Sequence, residues 1–229
     1  MSYDAILLAA GQGKRLAATQ AKQYIKLLNY TILEHSLNTL ASLPEVKNII
    51  VVLAEDDKLF RTLNITDNSV KTIVGGSERA YSVFNALQAL NKIGVSSDWV
   101  LVHDAARCCV RVDKILQLIT TCHAKKMGGI LANPVKDTIK QVSNMVVDKT
   151  IPRQNLYAAQ TPQYFLRQKL MVAYKHAFDK NILPTDEANA MELNQQRCLI
   201  VEGDCDNIKV THPIDLVIAE QILAGQHNV

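Results

Sequence analysis

The loop between the first predicted strand and the first predicted helix contains residue types that bind phosphate. The stretch "LLAAGQGKRL" (7–16) ends an apolar run in two alanines, then two glycines, then Lys14 and Arg15, and Lys22 follows. Glycine lets backbone N–H groups approach an oxyanion closely, and fixed cations stabilise phosphoryl charge. This composition predicts a loop that holds a polyphosphate.

Two common phosphate-binding motifs do not fit this loop. A dinucleotide-binding fingerprint requires G-x-G-x-x-G with the helix beginning inside it. Here position 16 is Leu, and the next convincing helix begins only at Thr31. A P-loop requires four residues between its first glycine and a Gly-Lys-Ser/Thr triplet, and that spacing is absent. The loop therefore belongs to another class of phosphate site.

Composition excludes several classes of protein. The chain has 229 residues, 48% of them hydrophobic, and a net charge of +3, with no basic face that would suggest nucleic acid binding. The five cysteines form no CxxC pair, as expected for reduced thiols. The sequence contains neither a signal-peptide pattern nor an apolar run long enough to span a membrane. We expect a soluble, cytoplasmic protein without a membrane partner.

Strand-like and helix-like segments alternate along the chain. The predicted buried strands are 5–9, 48–53, 71–74, 99–103 and 129–135, and the helices between them are 31–40, 79–90 and 113–126. Thr31 and Glu34 form a capping box at the start of the first of these helices. The alternation predicts an α/β, Rossmann-like fold, with a mostly parallel sheet covered by helices on both faces.

In such sheets ligands bind beyond the carboxyl ends of the strands. The rule selects 10–15, 75–79, 104–107 and 136–138 as the segments from which a site is built.

Residues 136–157 interrupt the alternation and resemble two strands around "VSN". We predict a projecting β-hairpin arm that forms a homodimer interface, since an isolated hairpin is marginal in water. Helices near 166–178 and 186–194, strands at 198–202 and 207–210, and a last helix opened by Thr211 and Pro213 complete the chain. Residues 1–229 are predicted to form one domain, with 136–157 as its dimerisation arm.

Seven motifs along nearly the whole chain resemble one enzyme family. They are "LLAAGQGKRL…AKQY", "GGSERAYSV", "LVHDAARCCV", "PVKDTIK", "AAQTPQYF", "TDEANAME" and "DNIKVTHPIDL". Together they resemble the 2-C-methyl-D-erythritol 4-phosphate cytidylyltransferases of the non-mevalonate isoprenoid pathway. The resemblance implies a nucleotidyltransferase domain whose partners are CTP and a sugar-alcohol phosphate. A substrate phosphate oxygen would attack the α-phosphorus of CTP in line and release pyrophosphate.

The resemblance also implies roles for individual residues. Arg15 and Lys22 would stabilise the transition state, while Arg153 and Lys209 would position the attacking phosphate, Arg153 in the neighbouring subunit's site. Asp104 would hold Mg²⁺, which prefers carboxylate and phosphate oxygens. The nucleotide would contact Ala9, Ala10, Gly11, Gly13, Lys14, Gly76, Ser77, Ser82 and Ala105. The methylerythritol phosphate would contact Arg107, Thr138, Arg153, Thr161, Thr185 and Lys209.

Three positions depart from the family's usual residues. Ala21 and Cys108 stand where the family usually has proline, so both loops are expected to be more mobile, and Ser77 replaces a residue that is often acidic. His103, in an apolar run, is expected to be a buried structural histidine rather than a catalytic base.

Ribitol 5-phosphate cytidylyltransferase is the alternative enzyme. A catalytically silent nucleotide-binding module would have lost Arg15, Lys22 or Asp104, and all three are present.

Overall fold

The computed structural model describes residues 2–11, 21–93 and 97–227, which form six α-helices and three sheets within those ranges. The strands are β1 Tyr3–Leu8, β2 Lys26–Leu27, β3 Tyr30–Thr31, β4 Val46–Leu53, β5 Val70–Val74, β6 Trp99–Asp104, β7 Gly129–Pro134, β8 Ile139–Ser143, β9 Val146–Ile151, β10 Tyr157–Leu166 and β11 Leu199–Glu202. The helices are α1 Ile32–Ala41, α2 Arg79–Lys92, α3 Val112–Lys125, α4 Arg167–Asp179, α5 Glu187–Leu193 and α6 Pro213–His227.

The main sheet has seven strands in the order β11-β7-β10-β6-β1-β4-β5. β1 pairs in parallel with β4 and β6, β4 with β5, and β7 with β11. β10 runs antiparallel between β6 and β7. The prediction of a mostly parallel sheet is confirmed, and the carboxyl ends of β1, β4, β5 and β6 share one edge.

Alternate residues of the central strands face opposite helical layers, as a strand with both faces buried requires. Ala5 and Leu7 belong to the core shared with α1 and α3, whereas Ile6 belongs to the core shared with α2, α4 and α5. All three side chains are fully buried. The helices therefore cover both faces, as predicted. Helix α6 packs on a smaller apolar cluster around Val210 and Leu223.

The sequence predicted the start of α1 correctly. The predicted capping box is present: Thr31 Oγ1 accepts from Glu34 N at 3.2 Å, and Glu34 Oε2 accepts from Thr31 N at 2.8 Å. No helix in the described part of the chain is long and apolar enough to cross a bilayer.

One strand prediction is wrong, and one strand was not predicted. The segment 207–210 is not a strand, because its backbone binds side chains and a turn rather than a neighbouring strand: Arg107 Nη1 donates to the Asn207 carbonyl at 2.8 Å, and Val210 N donates to the Ala106 carbonyl at 2.9 Å. Strand β10 was not predicted, because Pro162 and three polar residues break its apolar pattern. Pro162 lies where the pairing of β10 with β7 shifts register, between Ala159 and Gln163, which is a position that tolerates proline.

Residues 139–151 form the predicted hairpin. β8 and β9 pair only with each other among the described strands, and the connecting residues Asn144 and Met145 both have positive φ. Met145 is 94% exposed and Val146 is 66% exposed. The arm thus carries apolar side chains into solvent in a single chain.

Candidate active site

A cavity of about 1070 Å³ lies where the parallel strands end. Its wall is formed by residues that follow β1, β4, β5 and β6, together with Lys22, Gln23 and Lys209. This is the edge at which open parallel sheets bind ligands. Residues 53–56 also line the cavity although they were not predicted, whereas 136–138 do not line it in the single chain.

The structure brings most of the predicted nucleotide and catalytic residues to this cavity. Those lining it are Ala9, Ala10, Gly11, Lys22, Gly76, Ser77, Ser82, Asp104, Ala105 and Lys209. Gly13, Lys14 and Arg15 lie outside the described residues. The remaining predicted residues do not line the cavity: Arg107, Thr138, Arg153, Thr161 and Thr185.

A tight turn follows β5 and forms one wall. Ser82 Oγ, on the first turns of α2, accepts from Gly76 N at 3.0 Å and donates to the Glu78 carbonyl at 3.1 Å. A Cβ atom at Gly76 would lie 2.3 Å from Tyr81 Cβ, so only glycine fits at this close approach. The hydroxyl of Ser82 thus shapes the turn that faces the nucleotide side of the cavity.

The segment that carries Lys22 is anchored at both sides of the cavity. Lys22–Tyr24 is a short 3-10 helix. The side chain of Gln23 is buried, and its Nε2 donates to the Ala9 carbonyl at 2.8 Å, while Lys22 Nζ donates to the Val210 carbonyl at 3.0 Å. The start and the end of the chain therefore meet here. Sequence analysis did not identify Gln23.

Asp104, the last residue of β6, is the buried anion of the site. Lys209 Nζ donates to its Oδ2 at 2.6 Å, and Arg79 Nε donates to its Oδ1 at 3.2 Å. Burial alone would raise the pKa of Asp104, but the charges of Arg79 and Lys209 hold that pKa below its ordinary value. The carboxylate is therefore ionised throughout the neutral range.

Arg79 links Asp104 to a second carboxylate. Its Nη1 and Nη2 donate to Glu187 Oε1 and Oε2 at 2.7 and 3.2 Å, and Tyr174 donates its hydroxyl to Glu187 Oε1 at 3.0 Å. Burial would lower the pKa of Arg79, but Glu187 and Asp104 raise it well above the usual range. Neither Arg79 nor Glu187 was predicted to have a role, although they lie in the motifs "GGSERAYSV" and "TDEANAME".

Asp104 fits a magnesium ion only in a site where phosphate oxygens of a ligand supply further coordination. The described residues contain no group of three or more His, Cys, Asp or Glu side chains that could hold a metal. Mg²⁺ is commonly bound by one or two carboxylates plus substrate phosphates. Asp104 is ionised and lines the cavity, and a carboxylate has about four lone-pair directions, so contacts with two cations leave others open.

Arg107 lies behind the cavity wall and binds backbone rather than a carboxylate. Nη1 donates to the Asn207 carbonyl at 2.8 Å and Nη2 to the Ala159 carbonyl at 3.4 Å, while the buried Nε has no hydrogen-bond partner among the described residues. Burial lowers the pKa of Arg107 from its ordinary value. Among the described residues no carboxylate contacts the Arg107 guanidinium, which suits its charge to a phosphate.

His103 and Thr161 are packed beneath Asp104. His103 is fully buried and Thr161 is 5% exposed. Thr161 Oγ1 lies 3.0 Å from His103 Nδ1 and accepts from Asp104 N at 3.0 Å, while His103 Nε2 lies 3.2 Å from the Arg107 carbonyl. Burial lowers the pKa of His103 to about 4 despite the charge of Asp104. The prediction of a buried, hydrogen-bonded histidine is confirmed.

Three predicted substrate contacts are exposed in the single chain. Thr138, Arg153 and Thr185 lie at the surface, and Arg153 Nη1 donates to the Lys136 carbonyl at the base of the arm. No contact within the described part of the chain brings these side chains to the cavity, so their predicted roles depend on a second copy or on ligand binding.

Comparison with known proteins gives one consistent result. The family model described as 2-C-methyl-D-erythritol 4-phosphate cytidylyltransferase matches residues 4–225. A Pseudoalteromonas translucida protein of that name is 43% identical over 224 residues, which cover 98% of this chain and 92% of that protein. The Tolumonas auensis protein of the same name is 41% identical, with 98% of each chain covered.

Solved structures agree with the sequence matches. The Francisella tularensis 2-C-methyl-D-erythritol 4-phosphate cytidylyltransferase superposes with a TM-score of 0.83 at 34% identity, covering 96% of this chain and 100% of that one. The Thermus thermophilus protein of the same name gives a TM-score of 0.81 at 25% identity, covering 98% and 100%. The predicted Rossmann-like α/β fold is confirmed.

Proposed function

Since the chain belongs to the 2-C-methyl-D-erythritol 4-phosphate cytidylyltransferase family, we propose that it joins CTP to methylerythritol 4-phosphate. A phosphate oxygen of the alcohol phosphate forms a bond to the α-phosphorus of CTP. The bond between that phosphorus and the β-phosphate oxygen breaks, and pyrophosphate leaves with the electron pair. The product is 4-diphosphocytidyl-2-C-methyl-D-erythritol, a precursor in the non-mevalonate isoprenoid pathway.

One observation carries this proposal: Lys22, Asp104 and Lys209 line the same cavity. Two polyanions must be held together while charge develops on the α-phosphate, and fixed cations are the groups that stabilise that charge. The 2.6 Å contact between Lys209 and Asp104 fixes one cation in place, and the Val210 carbonyl fixes Lys22. Arg15, in the segment before Lys22, would add a third.

The nucleotide would bind along the glycine-containing strand ends. Ala9, Ala10 and Ala105 present small side chains at the cavity wall, which leaves room for a flat base and its ribose. Gly76, Ser77 and Ser82 also line the cavity. Gly11, Gly13 and Lys14 would bind the triphosphate through loop N–H groups and charge.

Asp104 would hold Mg²⁺ together with phosphate oxygens of CTP. When bound, the ion would neutralise triphosphate charge and help to orient the α-phosphate. The chain's own part is to keep the Asp104 carboxylate ionised and fixed between Arg79 and Lys209.

The arm would complete the site of a second copy. Arg153 lies at the base of a hairpin whose apolar residues Val142, Met145, Val146 and Val147 are exposed in one chain. Burying those side chains in a homodimer would stabilise the hairpin. Arg153 of one copy would then position the attacking phosphate in the other, beside Arg107, Thr138, Thr161, Thr185 and Lys209.

Pyrophosphate release tests the proposal. CTP and Mg²⁺ are offered with methylerythritol 4-phosphate or ribitol 5-phosphate in parallel, and ATP and UTP replace CTP as controls. Release with CTP and methylerythritol 4-phosphate is expected. Preference for ribitol 5-phosphate would keep the chemistry but overturn the substrate. Silence with every pair, from protein shown to be folded, would overturn the proposed activity.

A further inference from the structure

A hydrogen-bonded pair, His103 and Thr161, closes the turn that presents Asp104 and Arg107. The turn itself has a backbone bond from Arg107 N to the Asp104 carbonyl at 2.9 Å. His103 Nε2 reaches the Arg107 carbonyl at 3.2 Å, and Thr161 Oγ1 receives the Asp104 N–H at 3.0 Å. The pair therefore holds both ends of the turn from beneath, outside the cavity lining.

The partners determine which nitrogen of His103 carries the proton. The Arg107 carbonyl can only accept, so Nε2 carries hydrogen and donates to it. In the neutral ring Nδ1 is then an acceptor, so the Thr161 hydroxyl donates to it at 3.0 Å. The same hydroxyl oxygen accepts from Asp104 N. Every donor and acceptor in this chain of bonds has one direction.

The single hydroxyl proton of Thr161 bears on its predicted role as a contact for the substrate phosphate. A hydroxyl has one proton, and here it is directed to His103 rather than into the cavity. The side chain is also buried beneath the strand end. Thr161 therefore supports the backbone of Asp104, and its donor is not free for a substrate phosphate while the bond to His103 is intact.

We propose that His103 is a positioning residue for the reaction, acting through Thr161 and the Arg107 carbonyl to fix the Asp104–Arg107 turn. This inference rests on the proposed function for its kinetic part. A misplacement of about 1 Å in positioning groups can cost roughly 100-fold in rate. Loosening the turn moves the anion of Asp104 and the cation of Arg107 together, so the chemical step suffers more than nucleotide binding.

Two substitutions separate the two arms of the imidazole. His103→Asn retains an acceptor near Nδ1 but loses the donor to the Arg107 carbonyl, and His103→Gln retains a donor near Nε2 but loses the acceptor for Thr161. Each is expected to lower kcat roughly 10- to 100-fold, with KM for CTP changed less than about 3-fold. His123→Gln is the matched control. His123 contacts the Tyr164 hydroxyl at 2.9 Å, and its ring centroid lies 4.8 Å from that of Trp99, at the opposite end of β6.

Thr161 gives an independent arm of the test. Thr161→Ser retains the hydroxyl and is expected to lose much less of kcat than Thr161→Val, which is nearly isosteric and should fall like the His103 variants. Combining Thr161→Val with His103→Gln should cost little more than either alone, because both break the same bond. Full additivity, or wild-type kcat in Thr161→Val, would overturn the proposal.

Nitrogen NMR of wild-type protein with ¹⁵N-labelled histidine tests the tautomer directly. It uses no substrate and does not depend on whether a variant folds. The expected spectrum shows His103 with hydrogen on Nε2 and a bare Nδ1. Hydrogen on Nδ1 would overturn the proposal whatever the kinetics show. If wild-type protein with this tautomer released no pyrophosphate, the proposed function would fail while the hydrogen-bond assignment stood.

Discussion

Asp104 Oδ2 and Lys209 Nζ lie 2.6 Å apart, although 105 residues separate them in the chain. The contact joins the end of the central strand β6 to the segment that leads into α6. Because Asp104 is buried and Lys209 lines the cavity, an anionic ligand that enters must bind beside an ion pair already in place. Arg79 binds the other oxygen of the same carboxylate, at 3.2 Å.

Acid should weaken the contribution of Asp104 to stability. The folded-state pKa of Asp104 is depressed, so its contribution is complete above the unfolded-state pKa of about 4 and is lost as the pH falls toward the lower folded value. The stability difference between wild type and Asp104→Asn should therefore be constant near pH 6 and shrink below about pH 4. Urea unfolding across that range measures it, with the exposed Asp98→Asn as control. A difference that grows on acidification would contradict the assigned sign.

Lys22→Ala should lower turnover strongly with the fold intact. Removing one fixed group that stabilises developing charge typically costs roughly 100- to 1000-fold in kcat. Lys26→Ala is the matched control, since Lys26 is exposed in β2 and does not line the cavity. Steady-state kinetics and circular dichroism of both variants are compared. Near-normal kcat in Lys22→Ala would remove this residue from the mechanism.

Gly76→Ala should damage the turn that faces the nucleotide. The added Cβ would lie 2.3 Å from Tyr81 Cβ, so the turn must shift, and we expect a raised KM for CTP and a loss of about 1–3 kcal/mol in stability. Gly225→Ala is the steric control, because nothing lies within 4 Å of its added Cβ in α6. That change should raise stability by about 0.5–1 kcal/mol. Equal effects at the two positions would contradict the packing argument.

Ala21→Pro should stabilise the protein. The segment was expected to be more mobile because Ala21 replaces the family's usual proline. Ala21 nevertheless has φ of −60°, the value that proline enforces, so proline would fit the backbone as it stands. Proline at a compatible position stabilises by about 0.4–1 kcal/mol through the unfolded state. Thermal unfolding measures the change. A lower melting temperature would mean that an N–H at position 21 is needed.

A mixture of two inactive variants tests whether Arg153 serves the other copy. If it does, a heterodimer of Lys22→Ala with Arg153→Ala contains one site with both residues intact. Equal mixing should then restore about a quarter of wild-type turnover, because half the dimers carry one competent site of two. Each variant alone supplies the baseline. Absence of recovery after subunit exchange, verified by mass spectrometry, would place Arg153 in its own chain's site or outside the mechanism.

The sequence predicts the sheet well because local patterns specify it. Buried strands such as 48–53 are continuous β-branched runs, and the capping box at Thr31 marks its helix directly. Strand β10 was not predicted because its polar residues Gln160 and Gln163 do not alternate toward solvent. They are buried and donate to the Asp204 carbonyl and to Asp186 Oδ2. Its pattern depends on partners that are distant in the chain.

The same limit applies to the site. Glycines and lysines at strand ends could be selected from their types and positions. Arg79 and Glu187, separated by 108 residues, become a pair only through the fold. The direction of the Thr161 hydroxyl likewise depends on His103 and on the backbone of Asp104. Residue type indicates what a group can bind, and only the fold shows what it does bind.

The origin of each oxygen in the products tests the central proposal most directly. Methylerythritol 4-phosphate carrying ¹⁸O in its phosphate is incubated with CTP, Mg²⁺ and the protein, and the products are analysed by mass spectrometry. Attack of that phosphate on the α-phosphorus predicts that every labelled oxygen appears in the CDP-alcohol and none in pyrophosphate. Label in pyrophosphate, or no CDP-alcohol from folded protein, would contradict the proposed reaction.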